Sequence, residues 1–477
     1  MMVLYIVLAA IALLLAVCVL RAAAMKPTAQ ADARLPETDS ARSEQYGRSL
    51  GEMIRCRTVS CRDQQDRSQF YEYRKVLEKL FPNVFAVCEV HDFNGSLLLK
   101  WKGKTDGEPI MLMSHQDVVE APGKWEHEPF GGEMIDGAVW GRGTVDTKGS
   151  AFCFFQAAEE LIKQGFRPET DVYLGGSCTE EWSGDGGPAM AAWLEENGVK
   201  LGLLLDEGGM ILEEPIAGAK GMYAMVGVLE KGYGDVKFSA KSAGGHASAP
   251  GKNTPWARLA KFIARVEKKT PFRTEFNDTT KEMFRRVAPN MSFPMKLALG
   301  NIWLLGPVLK KVIPSISPAA GAMMRTTIAF TTGKGSNGYN VLPQEAYVTG
   351  NMRFIQHQPT GESLKIISEL AKKYDIDTEV IVAEEPCPVV SFKSRQFALV
   401  EQLTREIYPG VCVSPYAMTG GTDAKYYSRV CDNCLRFAPL YINNQQYAGI
   451  HGLNENINAS SLVLGVDFYK ELIKRYQ

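Results

Sequence analysis

The feature that most limits how this chain can fold is a short apolar run, 109–113, that ends in polar and ionisable residues. The run is followed by Ser114, His115, Gln116 and Asp117. A continuous apolar run of this length, bounded by polar residues, is typical of a fully buried strand. Side chains two positions apart on a strand point to the same face. The sequence therefore predicts that His115 and Asp117 emerge side by side at the carboxyl end of a buried strand.

Other segments of the first half of the chain show the same pattern. Each places a carboxylate just after a predicted strand or just before a predicted helix, and these carboxylates are Asp146, Glu180, Glu181 and Asp206. Strands that alternate with helices predict an α/β domain with a mostly parallel sheet flanked by helices. Because functional groups gather at the carboxyl ends of strands in such sheets, we expect these carboxylates to meet at one edge.

A change of pattern near residue 222 predicts a second, α+β domain inserted into the first. The expected division is 1–22 for an apolar N-terminal segment, 23–43 for a linker, 44–221 and 387–477 for the two parts of the main domain, and 222–386 for the insertion. The insertion contains an unusual apolar tract, 284–324. We also predict helices over 43–58 and 66–81 and a strand over 84–91, from the spacing of apolar residues.

Charge and cysteine content exclude some classes of function. The chain has 53 basic and 54 acidic side chains and a net charge of −1, so it lacks the basic surface of a nucleic-acid-binding protein. Its ten cysteines show no repeated spacing. The single Cys431-x-x-Cys434 motif has no second pair to complete a structural zinc site, which leaves two ordinary thiols or one local disulfide.

The N-terminal segment predicts contact with a membrane. Residues 1–20 form an almost unbroken apolar run without a charge, followed by Arg21 and Lys26. Twenty such residues can span a bilayer. Since positive charges before the run are missing, we expect an uncleaved single-span anchor, and a cleaved signal segment of an exported protein is the alternative. The side of the membrane on which the protein lies stays open.

The ionisable residues at the strand ends suit a hydrolytic metal site. A histidine in the loop before the last predicted helix, His451, adds a second imidazole. Imidazoles and carboxylates together form a ligand set that suits zinc, cobalt or manganese. A carboxylate can bridge two ions, and of the adjacent Glu180 and Glu181 one can bind metal while the other transfers a proton.

Five motifs in this order resemble the co-catalytic zinc peptidase and aminoacylase family, and most of all its carboxypeptidase S branch, which includes N-fatty-acyl-amino-acid hydrolases. The motifs are Ser-His115-Gln-Asp117, Asp146-Thr-Lys-Gly, Thr-Glu180-Glu181, Asp206-Glu-Gly and His451-Gly. The resemblance implies two Zn²⁺ ions, with Co²⁺ or Mn²⁺ as possible substitutes, bridged by Asp146. It assigns His115 and Asp206 to one ion, and Glu181 and His451 to the other.

The resemblance also implies roles for residues that do not bind metal. Glu180 is expected to act as general base and acid, and Asp117 to orient the imidazole of His115. The peptide bond after Asp146 is expected to be cis. The insertion is expected to be a ferredoxin-like lid and dimerisation domain, so that a homodimer is possible. Its expected contributions are His246 for the oxyanion and Asn340 and Arg353 for the substrate carboxylate, with Gly421 and Thr422 of the main domain lining the pocket.

The predicted function is hydrolysis of an amide bond next to a free carboxylate in a small peptide, as in a carboxypeptidase or dipeptidase. An N-acyl amino acid with a fatty acyl group is an alternative substrate, suggested by the apolar tract 284–324. An inactive binding protein on the same fold is a further alternative, because a fold alone does not give activity.

Overall fold

Two sheets organise the part of the chain that the computed structural model describes, residues 1–62 and 66–477. The strands are β1 (Glu89–Phe93), β2 (Ser96–Trp101), β3 (Ile110–His115), β4 (Glu133–Ile135), β5 (Ala138–Trp140), β6 (Val172–Ser177), β7 (Leu203–Asp206), β8 (Ile211–Glu213), β9 (Met222–Glu230), β10 (Gly232–Lys241), β11 (Gly245–His246), β12 (Thr327–Lys334), β13 (Val341–Leu342), β14 (Glu345–Phe354), β15 (Asp377–Ala383), β16 (Cys412–Met418), β17 (Cys434–Arg436), β18 (Tyr441–Ile442) and β19 (Asn456–Asn458).

Helices cover both sheets. They are α1 (Met2–Ala23), α2 (Ser40–Arg55), α3 (Ser68–Leu80), α4 (Pro82–Val87), α5 (Lys148–Lys163), α6 (Gly186–Glu196), α7 (Pro255–Lys268), α8 (Asp278–Val287), α9 (Phe293–Leu299), α10 (Ile302–Ile316), α11 (Pro318–Ala322), α12 (Thr360–Lys372), α13 (Arg395–Ile407), α14 (Asn444–Gly449) and α15 (Ala459–Arg475).

The large sheet has the strand order β1-β2-β6-β3-β7-β17-β9-β8-β18, with β16 paired to β9. The central strands β6, β3, β7 and β17 are parallel, as the alternation of strands and helices predicts. The pairs β1–β2, β2–β6, β17–β9 and β9–β8 are antiparallel, while β16–β9 and β8–β18 are again parallel, so the whole sheet is mixed. The carboxyl ends of the parallel strands therefore share one edge, where the ionisable residues were expected.

The core of the large domain explains why its strands are continuously apolar. Every residue of β3 and β6 is buried, because helices lie on both faces of the sheet. On one face α5 packs against α15, and the ring of Phe152 lies within 5.4 Å of the Tyr46 ring and 6.1 Å of the Phe81 ring. The last helix of the chain thus completes a core that begins before residue 50.

The inserted domain begins later than the sequence suggests. The expected boundary was residue 222, but strand β9 belongs to the large sheet, and the small sheet starts at Gly232. Lys231 is the single residue between them. Its buried ammonium group donates to the carbonyl oxygens of Ala322 and Arg325 and to Thr327 Oγ1, at 2.9 to 3.1 Å.

The small sheet has the order β12-β14-β10-β15 and is antiparallel throughout. Helices α7 and α12 pack on it around one apolar core. In chain order this is a βαββαβ unit whose fourth strand lies beside its first, the ferredoxin-like arrangement that was expected. The helices α8 to α11 are an addition between α7 and β12. The expected roles of this domain in closure and dimerisation remain predictions.

Two local expectations differ from the structure. The predicted strand 84–91 is the helix α4 followed by β1, because Pro82 occupies the first helical turn, where its missing N–H costs nothing. The linker predicted over 23–43 ends earlier, since α2 begins at Ser40. The carboxylate of Asp39 caps this helix by accepting the backbone N–H groups of Ala41 and Arg42.

The N-terminal helix α1 is long and apolar enough to cross a membrane. Within it, only Cys18 and Ala22 are buried against the rest of the protein. Helices α9 and α10 also pass that test as a pair, but they meet at a bend of 106°. All ten cysteines are free thiols in this structure, including Cys431 and Cys434.

Candidate metal centre

His115 lies at the end of β3 with its imidazole held in one tautomer. Its Nδ1 atom is 2.9 Å from the backbone oxygen of Asp117, an acceptor, so the proton lies on Nδ1. The other ring nitrogen, Nε2, is 3.0 Å from Asp146 Oδ1 and 4.0 Å from Glu180 Oε2. Nε2 is therefore the ligand atom that His115 presents to the carboxylates.

Asp117 is fully buried and links the histidine to the glutamate pair. Its carboxylate accepts from Ser60 Oγ at 2.6 Å and from the backbone N–H groups of Glu180 and Glu181 at 3.2 and 3.1 Å. The carboxylate lies 3.5 Å from His115 Nδ1, so the closer contact to the ring is the Asp117 carbonyl. Asp117 thus orients His115 mainly through its backbone, and its side chain positions Glu180 and Glu181.

Asp146 lies between the two histidines, and each of its oxygens faces one of them. Oδ1 is 3.0 Å from His115 Nε2, and Oδ2 is 3.1 Å from His451 Nε2. The Asp146–Thr147 peptide bond is cis, as the resemblance implies. This is the geometry of a carboxylate that can give one oxygen to each of two cations.

Glu181 and His451 lie beside Asp146 Oδ2 and form a second group of ionisable residues with it. His451 Nε2 is 3.1 Å from Glu181 Oε2, and the other Glu181 oxygen accepts from the Val119 N–H at 3.2 Å. Hydrogen bonds with Asp146 and Glu181 raise the pKa of His451 to about 10. Its side chain is 54% exposed, so this side of the centre opens to solvent.

Glu207, and not Asp206, lies in one group of possible ligands with His115 and Asp146. The Asp206 carboxylate accepts the backbone N–H groups of Glu207 and Ala424, at 2.9 and 2.8 Å. Potential ligand atoms of His115, Asp146 and Glu207 lie within 4.8 Å of one another. The structure thus brings Glu207, and not the expected Asp206, into this group of possible ligands, since adjacent residues at a strand end point to opposite sides.

The structure thus contains two groups of possible ligands that share one carboxylate. They are His115, Asp146 and Glu207, and Asp146, Glu181 and His451. Within each group all ligand atoms lie within 4.8 Å of one another. Two imidazoles and three carboxylates are donors that suit zinc, so the residues present fit a pair of divalent cations.

The pKa values of the buried groups also indicate a site for cations. Burial raises the pKa of Glu180 and of Glu207 well above the ordinary range, and nearby carboxylates add to the effect. Burial and the charge of Asp206 raise the pKa of Asp423 to about 7. Although burial alone would lower it, hydrogen bonds with Asp117 and Asp146 hold the pKa of His115 well above its usual value. The cluster has an excess of buried negative charge that cations would neutralise.

A buried ion pair that the sequence reasoning missed holds the two sides together. Glu455 Oε1 accepts the N–H groups of Val145 and Asp146, at 2.8 and 3.1 Å, and Oε2 accepts the N–H of Gly143 at 3.1 Å. Oε2 also accepts from Arg142 Nη1 at 2.7 Å, while Arg142 Nη2 donates to the Gly452 oxygen at 2.8 Å. The available signal was their position, because Arg142 lies four residues before Asp146 and Glu455 lies four residues after His451.

The structure places His246 and Asn340 side by side on the inserted domain. Strand β11, which ends at His246, pairs with β13, and the Ala247 N–H donates to the Asn340 oxygen at 2.9 Å. Both side chains are exposed. The hydrogen bonds of the His246 ring are to Ser248, and none joins it to the acidic cluster among the described residues. The expected roles of His246 and Asn340 remain predictions.

Arg353 and Gly421 come together from different domains. A Cβ atom at Gly421 would lie 3.8 Å from Arg353 Nη1, and the guanidinium stacks on Tyr233 at 4.8 Å. Thr422 instead turns inward. Its amide and hydroxyl both donate to Glu230, which is paired with Arg436 in a buried network. Thr422 therefore supports the loop, and Gly421 is the member of the predicted pair that faces outward.

Comparison with known proteins identifies the family of this chain. Residues 111–475 match the model of peptidase family M20/M25/M40. The chain belongs to this family. As an M20 family member it is a metallohydrolase that acts on amide bonds.

Relatives and solved structures share most of the chain's length. The N-fatty-acyl-amino acid synthase/hydrolase PM20D1 of Xenopus tropicalis is 32% identical, with 90% of this chain and 86% of that protein covered. The probable carboxypeptidase S-like 2 of Dictyostelium discoideum is also 32% identical, with 86% and 80% covered. The M20 family metallo-carboxypeptidase Sso-CP2 of Sulfolobus solfataricus is 15% identical, with a TM-score of 0.67 over 91% of this chain and 99% of that one.

The Glu455 contacts give a prediction about metal affinity. We expect Glu455→Gln to weaken zinc binding about 10- to 100-fold, because the amide cannot accept from all these N–H groups and leaves Arg142 unpaired. Zinc affinity is measured by competition with a chelator, on protein whose circular dichroism is native. The control is Glu406→Gln, which removes an exposed partner of Arg475. Unchanged zinc affinity in folded Glu455→Gln would contradict this role.

The raised pKa values predict how stability depends on pH without metal. Burial raises the pKa of Asp206 to about 6 and that of Asp423 to about 7, from 3.8. A carboxyl with a higher pKa in the folded state stabilises that state at low pH, and this contribution is lost as pH rises through the folded pKa. We expect chelated protein to melt several degrees lower near pH 8 than near pH 5, and zinc to reverse most of the loss.

Calorimetry with and without chelator measures this dependence. Asp423→Asn, which removes one of the raised carboxyls, should flatten the pH profile of the chelated protein. An equal melting temperature at both pH values in chelated wild-type protein would contradict the raised pKa values of Asp206 and Asp423.

Proposed function

We propose that the chain is a di-zinc hydrolase that cleaves an amide bond next to a free carboxylate in small peptides. The observation that carries the proposal is the position of Asp146, whose two oxygens each face one histidine. His115 and Glu207 would hold one zinc ion with it, and Glu181 and His451 the other. Bound there, the ions would polarise the amide carbonyl and make a water molecule easier to deprotonate.

Glu180 is the proposed proton carrier. It lies three residues after the end of β6, its backbone N–H donates to the Asp117 carboxylate, and its Oε2 lies 4.0 Å from His115 Nε2. It belongs to neither ligand group, so its carboxylate is free to accept the proton of the attacking water. It then passes this proton to the departing amine, which gives one carboxylic acid and one amine from one amide and one water.

Arg353 is the proposed anchor for the substrate's free carboxylate. A guanidinium can bind a carboxylate through two parallel hydrogen bonds. Arg353 lies beside the exposed Gly421, and among the described residues its side chain makes one hydrogen bond, from Nε to Asn351 Oδ1 at 3.2 Å, which leaves the Nη groups to serve a ligand in this proposal. Substrates would then be amides of amino acids, with the acyl side less constrained.

An N-acyl amino acid is the second candidate substrate. It is supported by the name of the Xenopus tropicalis relative, an N-fatty-acyl-amino acid synthase/hydrolase that aligns with 90% of this chain. The apolar tract does not add support, because its buried side packs on Tyr223, Met225 and Cys412 at the outer strands of the large sheet. The proposed chemistry at the metal centre is the same for both substrates.

Substitution at the centre tests the proposed roles. We expect Glu180→Gln to keep two zinc ions per chain and to lower kcat at least 100-fold, because an amide cannot carry the proton. The matched control Asp146→Asn should lose metal as well as activity. Metal content by mass spectrometry and peptide hydrolysis measure both variants. Substantial turnover in Glu180→Gln, or fewer than two ions in zinc-loaded wild type, would overturn the assignment.

A substrate comparison separates the two candidates. We expect dipeptides with a free carboxylate to be hydrolysed with a higher kcat/KM than long-chain N-acyl amino acids, and C-terminal amides of the same dipeptides to react about 100-fold more slowly. The C-terminal amide lacks the charge that Arg353 would bind. Arg353→Lys should therefore reduce the difference in kcat/KM between dipeptides and their amides. A higher kcat/KM for long-chain N-acyl amino acids would favour the second candidate.

A further inference from the structure

Helices α9 and α10 present an apolar face to solvent. Their large side chains Phe293, Trp303, Val308, Val312 and Ile316 are between 42% and 65% exposed. The opposite side of the pair is also apolar and is buried in a core of its own, through Leu299, Leu309 and Ile313. A surface helix normally needs only one apolar face, so the exposed face implies a partner that excludes water.

The same helix pair holds the carboxyl end of α1. Buried Asn301, between α9 and α10, donates from Nδ2 to the Cys18 oxygen at 3.1 Å. Just beyond α1, the Met25 side chain lies against Gly300, where a Cβ atom would come within 2.2 Å of Met25 Cε. The exposed face is therefore continuous with the end of a helix that is long enough to cross a bilayer.

The length of α1 sets the depth at which this contact occurs. Its 22 residues extend about 33 Å, against about 30 Å for the hydrocarbon of a bilayer. With α1 across the membrane, Ala22 lies at the edge of the hydrocarbon, and Cys18 lies about 6 Å deeper, four residues earlier in the helix. Helices α9 and α10, packed on these last turns of α1, lie at the same level.

Charge favours a membrane surface over a second membrane span. The tract 284–324 contains five basic residues and no acidic one. Arg285, Arg286 and Lys310 pair with glutamates outside the tract. Lys296 on α9 and Lys311 on α10 have no ion-pair partner among the described residues. Helix α10 has 15 residues, about 22 Å, which is too short to cross a bilayer. An apolar face beside basic side chains is typical of helices that lie in the interface plane.

We propose that α9 and α10 lie in the headgroup region of the bilayer that α1 spans, with Trp303 and its apolar neighbours inserted among the acyl chains. The ligand of this surface is a phospholipid bilayer, preferably an anionic one. The metal centre is formed by other elements, so the proposal holds whichever substrate the enzyme takes.

Quenching of tryptophan fluorescence tests the proposal on the full chain. The protein is reconstituted into vesicles of phosphatidylcholine and phosphatidylglycerol, with and without lipids brominated in the acyl chains. The matched variants are Trp303→Phe and Trp256→Phe, because both tryptophans are exposed and Trp256 lies on α7 of the small domain. Helix α1 contains no tryptophan that would contribute to the signal.

We expect brominated lipids to quench wild type and Trp256→Phe alike, and Trp303→Phe to lose at least half of the quenched signal. Hydrolytic activity should be unchanged in both variants, which separates this result from a failure of the proposed reaction. Equal quenching in the two variants would overturn the proposal. A dimer with Trp303 shielded from lipid, shown by cross-linking in the vesicles, would overturn it in favour of a second copy.

Discussion

The structure of the metal centre depends on one buried carboxylate that binds no metal. Glu455 accepts the backbone N–H groups of Gly143, Val145 and Asp146. It also pairs with Arg142, which donates to the Gly452 oxygen in the loop of His451. A buried ion pair is stable only when its hydrogen-bonding capacity is satisfied, and here the backbone supplies the partners. Asp146 and His451 therefore have fixed relative positions before any cation binds.

Much of this centre could be predicted because side chains two residues apart on a strand point to the same face. The alternation that places His115 and Asp117 on one face is a local rule, and so is the position of Glu180 just after a buried strand. The same rule did not decide between Asp206 and Glu207, because either could be the last residue with strand geometry. That choice depends on the Ala424 N–H, which reaches Asp206 from a remote loop.

The fold was predictable where patterns are long and was missed where distant residues decide. Alternating strands and helices gave the α/β core, but the antiparallel pairing of β9 with β17 depends on a chain segment 200 residues later. The domain boundary at 222 was wrong for that reason, since an apolar strand fits either sheet. The contacts of Glu455 follow no helix or strand periodicity, because they join segments about 310 positions apart.

The long separation of the paired loops has a consequence for biosynthesis. Arg142 and Glu455 are 313 positions apart, and the inserted domain lies between them. During translation the N-terminal regions of a protein emerge and fold first. A growing chain thus exposes His115 and Asp146 long before His451 is synthesised, so the second group of possible ligands can assemble only after residue 451 has been added. A chain released before that point would lack one member of the group.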